Sequence, residues 1–141
     1  MLVSALGQKA FRLAGEISDG AISWMCPVPY LLGKALPALR AGAEASHRPI
    51  PPLVAHVPVA MSDDRTTART ALFERLRSYA GMPFYAHMFA AAGLPVAADG
   101  SGLDALADEL IVAGDEVKVR QYLIDLLAIG LDELLVTLFP L

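Results

Sequence analysis

Met1-Leu2-Val3-Ser4-Ala5-Leu6-Gly7-Gln8-Lys9 opens the stretch that decides the fold, and Ile17-Ser18-Asp19-Gly20-Ala21-Ile22-Ser23-Trp24 closes it. Leu2–Ala5 is a short apolar run with strand character, and Gly7 ends it. A helix is expected over Gln8–Ser18, with Arg12 and Glu16 four residues apart on its outer face. Asp19-Gly20 then turns the chain into a second strand, Ala21–Met25. Two strands joined through one helix form a β-α-β unit, whose strands run parallel with a right-handed crossover. A glycine between strand and helix also has a chemical meaning. The free N–H groups and the positive end of the helix dipole favour an anion there, commonly a phosphate. Met1 begins inside the first strand rather than before it, which predicts that the chain is part of something larger.

The alternation continues along the chain. Leu53–Met61 and Glu133–Leu138 read as further buried parallel strands, being short apolar runs between turn signals. Pro58 counts against the first of these, because proline cannot donate to a ladder and favours edges or bulges. Helices are expected over Tyr30–Ser46, with a kink or restart at Pro37, and over Arg65–Tyr79 after the caps Ser62-Asp63-Asp64. Leu72 and Leu76 are its inward residues. Gly81-Met82-Pro83 separates it from a short helix, Phe84–Ala92. Residues 94–103 read as a loop, followed by a helix at Leu103–Leu110. The last helix, Glu116–Ala128, is capped by Asp115 and closed by Gly130, with Glu116 and Arg120 spaced to pair. About four parallel strands with alternating helices make an α/β domain over residues 1–141. That is half of an eight-stranded barrel, or alternatively an open four-stranded sheet.

Composition narrows the class. The chain has 141 residues, 55% hydrophobic and only 18% charged. This is apolar for a globular domain, yet charges or prolines interrupt every run before the roughly 20 apolar residues that a membrane helix needs. Strands buried on both faces account for much of the excess. The net charge is −4 and is concentrated at the end, where residues 99–141 hold nine acidic and two basic groups. Such a balance argues against a nucleic-acid surface, and a solvated helix face is the simpler reading. A single cysteine, Cys26, excludes an internal disulfide and fits a cytoplasmic protein. No secretory leader precedes the first strand.

Several motifs in order resemble one known family. They are Ala5-Leu6-Gly7-Gln8-Lys9, Leu13-Ala14-Gly15-Glu16, Ser18-Asp19-Gly20, Pro58-Val59-Ala60-Met61-Ser62-Asp63-Asp64, Tyr79-Ala80-Gly81-Met82-Pro83-Phe84-Tyr85, Gly114-Asp115-Glu116 and Gly130-Leu131-Asp132-Glu133-Leu134-Leu135-Val136. Together they resemble the carboxy-terminal half of the luciferase-like monooxygenases, and within these the oxidoreductases that use the deazaflavin coenzyme F420. The resemblance implies a TIM-like barrel that binds F420 or FMN at the carboxy-terminal ends of its strands and transfers hydride. It places Gly7, Gln8 and Lys9 at the phosphate, with Ser4 adding a hydroxyl, and makes the opening unit the fifth step of an eight-step barrel. The family's early strands have no counterpart here.

Each candidate residue also has a plainer use. Lys9 opposes the helix dipole unless an anion lies near, but a solvated lysine is equally ordinary. Gly7 permits positive φ or the close approach of a ligand, and a simple turn uses glycine too. Trp24, at the end of the second strand, suits the wall of a flavin-like ring pocket, although tryptophan more often fills core volume. Met25 and Cys26 adjoin it, and no basic neighbour activates the thiol. His56 falls mid-strand, pointing into the barrel axis by alternation, where it would be a proton carrier or a hydrogen-bonded core residue. His47 and His87 read as surface or packing groups. Three dispersed histidines make no metal site, and no acid–base pair suggests itself as catalytic. Two functions follow. One is a truncated or partial luciferase-like oxidoreductase. The other is a non-catalytic half-barrel that homodimerises or docks on a separate amino-terminal half.

Overall fold

The computed structural model describes residues 1–141, and its sheet contains five strands, all parallel. In chain order the elements are β1 (Leu2–Ser4), α1 (Gln8–Ile17), β2 (Gly20–Ile22), α2 (Val28–Tyr30), a π turn (Leu31–Ala35), α3 (Leu36–Ala45) and β3 (Leu53–Ala60). They continue with α4 (Arg65–Ala80), α5 (Pro83–Ala91), α6 (Leu103–Leu110), β4 (Val112–Ala113), α7 (Glu116–Ala128) and β5 (Glu133–Leu138). The four expected strands are present, and β4 is an additional one of two residues. The second is shorter than its apolar run, because Met25 adopts a φ of 51° and turns the chain out of the sheet.

Strand β3 is the spine, with all eight residues buried. On one side it pairs with β5 along Val54–Val59. On the other it pairs with β2 at Leu53 and Val54 and with β4 at Val59 and Ala60. This arrangement explains how Pro58 sits inside a central strand. The Val54 and Ala60 carbonyls accept bonds from Ser23 and Gly114 on the β2/β4 side, whereas Val59 accepts from Phe139 beyond β5. Pro58, in phase with Val54 and Ala60, therefore turns its nitrogen to the gap between β2 and β4, where no ladder partner exists. In the same gap the Ser23 hydroxyl accepts from the His56 N–H at 3.4 Å.

The two faces of the sheet differ. Ala21, Leu53, Ala55, Val57 and Val59 join Phe11, Ala14, Leu39 and Leu126 in a continuous core of 31 buried side chains beneath α1, α3 and α7. Helices α1 and α3 pack with backbones nearly touching. A Cβ on Gly15 would overlap the Leu39 carbonyl oxygen, and one on Gly42 would overlap that of Arg12. The proline within the third helical segment acts as expected, by a specific route. Pro37 has no N–H for the carbonyl one turn back, and the chain widens into the π turn immediately before it.

Helices α4 and α6 are joined by ion pairs: Arg65 to Asp108 at 3.4 Å, and Arg69 to Asp108 at 3.3 Å and to Asp104 at 3.6 Å. Part of the acidic carboxy-terminal third is thus paired rather than merely solvated, and Lys118, one of its two basic residues, meets Asp63 before α4. Asp64 and Asp115 cap α4 and α7 through the N–H groups of Thr67 and Lys118. Arg12 pairs with Glu16 at 3.2 Å, but Glu116 and Arg120 do not pair. No helix is long and apolar enough to cross a membrane.

Candidate functional site

A groove of about 720 Å³ opens at the carboxy-terminal end of β1. Ser4, Leu6, Gly7, Gln8 and Lys9 line one wall, and Met82, Phe84, Tyr85, His87 and Met88 line the wall opposite, with Tyr30 between. Four of the five expected site residues, Ser4, Gly7, Gln8 and Lys9, therefore share one surface. Barrel enzymes place their ligands at this end of the strands.

The turn is built to leave polar groups free. Gly7 is the N-cap of α1, and no side chain caps the helix. Its carbonyl accepts from Ala10 and Phe11, while the Gln8 and Lys9 N–H groups find no backbone acceptor. These are the orphan donors of a helix start. One expectation needs correction: Gly7 has φ −87° and ψ 160°, extended backbone open to any residue. Positive φ is not its reason for being glycine. A Cβ added there would meet nothing within 4 Å, so what glycine preserves is open space beside free N–H donors. Lys9 and His87 are the basic side chains of the lining, and no carboxylate is among them. Lys9 is the sole formal charge of the lining, in a chain of net charge −4.

Trp24 is placed differently. It lies outside the groove lining and stacks on His56, with ring centroids 3.8 Å apart and planes 16° from parallel. Its indole N–H donates to the Tyr79 hydroxyl at 2.9 Å. Tyr79 in turn packs on Tyr85 at 4.7 Å, and Tyr85 on Phe89 at 5.9 Å. Through this series Trp24 ties the end of β2 to α4 and, through Tyr85, to α5, which lines the groove.

His56 is 3% exposed. Its Nδ1 faces the Met25 N–H at 3.4 Å, so the ring proton sits on Nε2 and is donated to Thr137 Oγ1 at 2.8 Å. Burial, helped by the nearby Arg75 charge, pushes its pKa down to about 4. It is a neutral core histidine. Cys26 is equally inert, since burial drives its thiol up to about 12 and it donates weakly to the Trp24 carbonyl. His47, at φ 53°, serves the turn after α3. No group of three or more His, Cys, Asp or Glu side chains is arranged to hold a metal ion.

The sequence reading missed Tyr30, Met82, Phe84, Tyr85, His87 and Met88 as groove residues. Met82-Pro83-Phe84-Tyr85 is an apolar run at a helix start, indistinguishable by pattern from core. The exposure of Met82 and, above all, of Phe84, at 79%, sets it apart.

Comparison with known proteins bears on this geometry. Residues 1–133 match the family described as luciferase-like monooxygenase. No curated protein matches. Among solved structures, an F420-dependent secondary alcohol dehydrogenase in complex with an F420-acetone adduct is similar at 16% identity and TM-score 0.69, over 97% of this chain and 42% of its own. The coenzyme F420-dependent tetrahydromethanopterin reductase from Methanopyrus kandleri is similar at 19% identity and TM-score 0.63, over 99% and 44%. EDTA monooxygenase from Chelativorans sp. BNC1 is similar at 16% identity and TM-score 0.70, over 99% and 39%. The chain thus spans less than half the length of these three structures, and its strands and helices are those of half a TIM-like barrel.

Proposed function

We propose that this chain, which belongs to the luciferase-like monooxygenase family, holds the phosphate-bearing end of a flavin or deazaflavin coenzyme in the groove beside β1, as part of an oxidoreductase. The observation that carries the reading is the uncapped start of α1 at Gly7, with open space where a side chain would stand and no carboxylate in the lining. The Gln8 and Lys9 N–H groups would hold phosphate oxygens, and the Lys9 ammonium and the Ser4 hydroxyl would add a charge and a further donor. Met82, Phe84 and Met88 supply apolar surface that shields those bonds from water. Such a coenzyme, when bound, supplies hydride chemistry. The chain's own contribution is to bind and orient it, and no catalytic residue is assigned.

Titration of the purified chain with FMN, F420 and FAD, followed by fluorescence, tests the reading. Saturable binding of FMN or F420 is expected. Gly7→Leu should weaken it about ten-fold or more by filling the anion's place, with the melting temperature unchanged because the replaced space is open. Absence of binding to all three at high micromolar concentration removes the coenzyme role from this chain.

A second reading concerns assembly. Both edges of the sheet are open, and β5 exposes Leu135, Val136 and Leu138 while β1 exposes Leu2. Open parallel edges with apolar side chains favour pairing with further strands. A second copy of the chain, or a separate amino-terminal half, would close the barrel.

A further inference from the structure

The geometry points to a binding site for one buried water molecule where the sheet forks, apart from the groove at β1. The water donates one O–H to the His56 carbonyl and the other to the Glu109 carboxylate.

The fork is a property of β3. On one side its amino-terminal end pairs with β2, the last register pair being Ile22 with Val54. Its carboxy-terminal end pairs there with β4, the first being Val59 with Val112. No strand stands opposite residues 55–58 on that side. Buried backbone groups must find partners, and those facing the gap can be followed one by one. The Val54 carbonyl accepts from the Ser23 N–H at 3.0 Å, and the His56 N–H reaches the Ser23 hydroxyl at 3.4 Å. Pro58 has no N–H to satisfy, whereas any other residue would add a donor to the gap. The His56 carbonyl, in phase with those of Val54 and Ala60, is left over. Neither β2 nor β4 extends to it, and no turn N–H reaches it. The imidazole is occupied on the other face of the sheet, stacked on Trp24, with its nitrogens given to Met25 and Thr137.

A cavity of about 20 Å³ lies at this point. Ala55, His56 and Val57 of β3 line it, with Cys26 from beyond β2, Val112 of β4 and Glu109 of α6. One water needs about 10–15 Å³, so the volume takes a single molecule. Glu109 is the charged residue of this lining. Asp104 and Asp108 on the same helix pair with Arg65 and Arg69, but Glu109 meets no cation, and partial burial raises its pKa. A buried water keeps its place through two or more polar partners. Two acceptors match the two O–H groups of water. A dry cavity would leave the carbonyl desolvated and unpaired.

Water–methyl nuclear Overhauser spectroscopy on the methyl-labelled chain tests the site. The Ala55, Val57 and Val112 methyls should show cross-peaks to water with the sign of a long-lived bound molecule. Leu39 and Leu72, fully buried elsewhere in the core, should show none. Cys26→Ala removes the exchangeable thiol proton as a relay, and the cross-peaks should persist in it. Glu109→Gln keeps an acceptor and should keep them, whereas Glu109→Leu leaves the water one partner and should lose them. Silent Ala55 and Val57 methyls in the parent chain would overturn the proposal, and that measurement depends on no variant. Cross-peaks that vanish in Cys26→Ala would trace to the thiol and overturn it as well. Cross-peaks unchanged in Glu109→Leu would remove Glu109 from the site and overturn the bridge.

Discussion

Gly7, Lys9 and His56 show three degrees of legibility at the scale of single residues. Gly7 and Lys9 stand out in the sequence because a helix start has fixed chemistry: orphan N–H groups and a positive dipole end exist in any fold. The reason for glycine was not readable, since positive φ and open space leave the same letter, and the structure chooses the second. His56 was placed correctly on an inward-facing position, but its stack on Trp24 joins residues 32 apart in the chain. Its low pKa, about 4, has a stability consequence with a definite sign. An unfolded histidine takes up a proton near pH 6.5, and the native one refuses it until about pH 4. Stability is therefore insensitive to this group above pH 6.5, falls as pH drops from 6.5 to 4, and levels off below. Burial is the main cause, so the loss reaches about 3 kcal/mol. Urea unfolding of the parent and of His56→Gln across this range should show a shallower slope for the variant. Identical slopes would mean that the imidazole titrates normally.

At the scale of elements, the crossing of α1 and α3 is the point most sensitive to change. Gly15 and Gly42 let the two backbones approach until side chains are excluded from the contact. Gly15→Ala and Gly42→Ala should each cost about 2 kcal/mol or more by overpacking, although alanine is the better helix former by roughly 1 kcal/mol. A lowered urea midpoint with an unchanged slope is the expected signature. A stabilised Gly15→Ala would show that the helices can separate at little cost. Most helices were legible here because their signals are local: Asp64 and Asp115 as caps, Gly130 as terminator, and Leu72 and Leu76 at helical spacing. Strand β4 was not, because two residues carry no period. It exists only where Val59 and Ala60 present free backbone groups to Val112 and Ala113.

For the whole molecule, the open edges β1 and β5 are the dominant feature. Between them they expose Leu2, Leu135, Val136 and Leu138, and the outer side of α7 adds Val117, Ile124 and Leu127. If pairing along these edges closes the barrel, sedimentation should report a reversible dimer whose dissociation is favoured by dilution, or a complex with a separate amino-terminal half. A monomer that persists at high concentration, and fails to bind such a half, would leave the edges without a partner role. Two substitutions make the experiment specific. Leu135→Lys and Leu138→Lys put charge on β5 and should favour the monomer while leaving the core intact.

The sequence by itself determined the parallel α/β order, the family and the uncapped helix start at Gly7. Each depends on interactions within a few residues or on periodicity along one segment. Only the tertiary structure decided what faces that turn. Tyr30, Tyr85 and His87 line the same groove as that turn, and the Trp24–Tyr79–Tyr85 series ties one of them, Tyr85, to the end of β2. Contacts of that kind join positions far apart in the chain. A tyrosine that packs in the core and one that lines a groove have the same letter and the same neighbours in sequence.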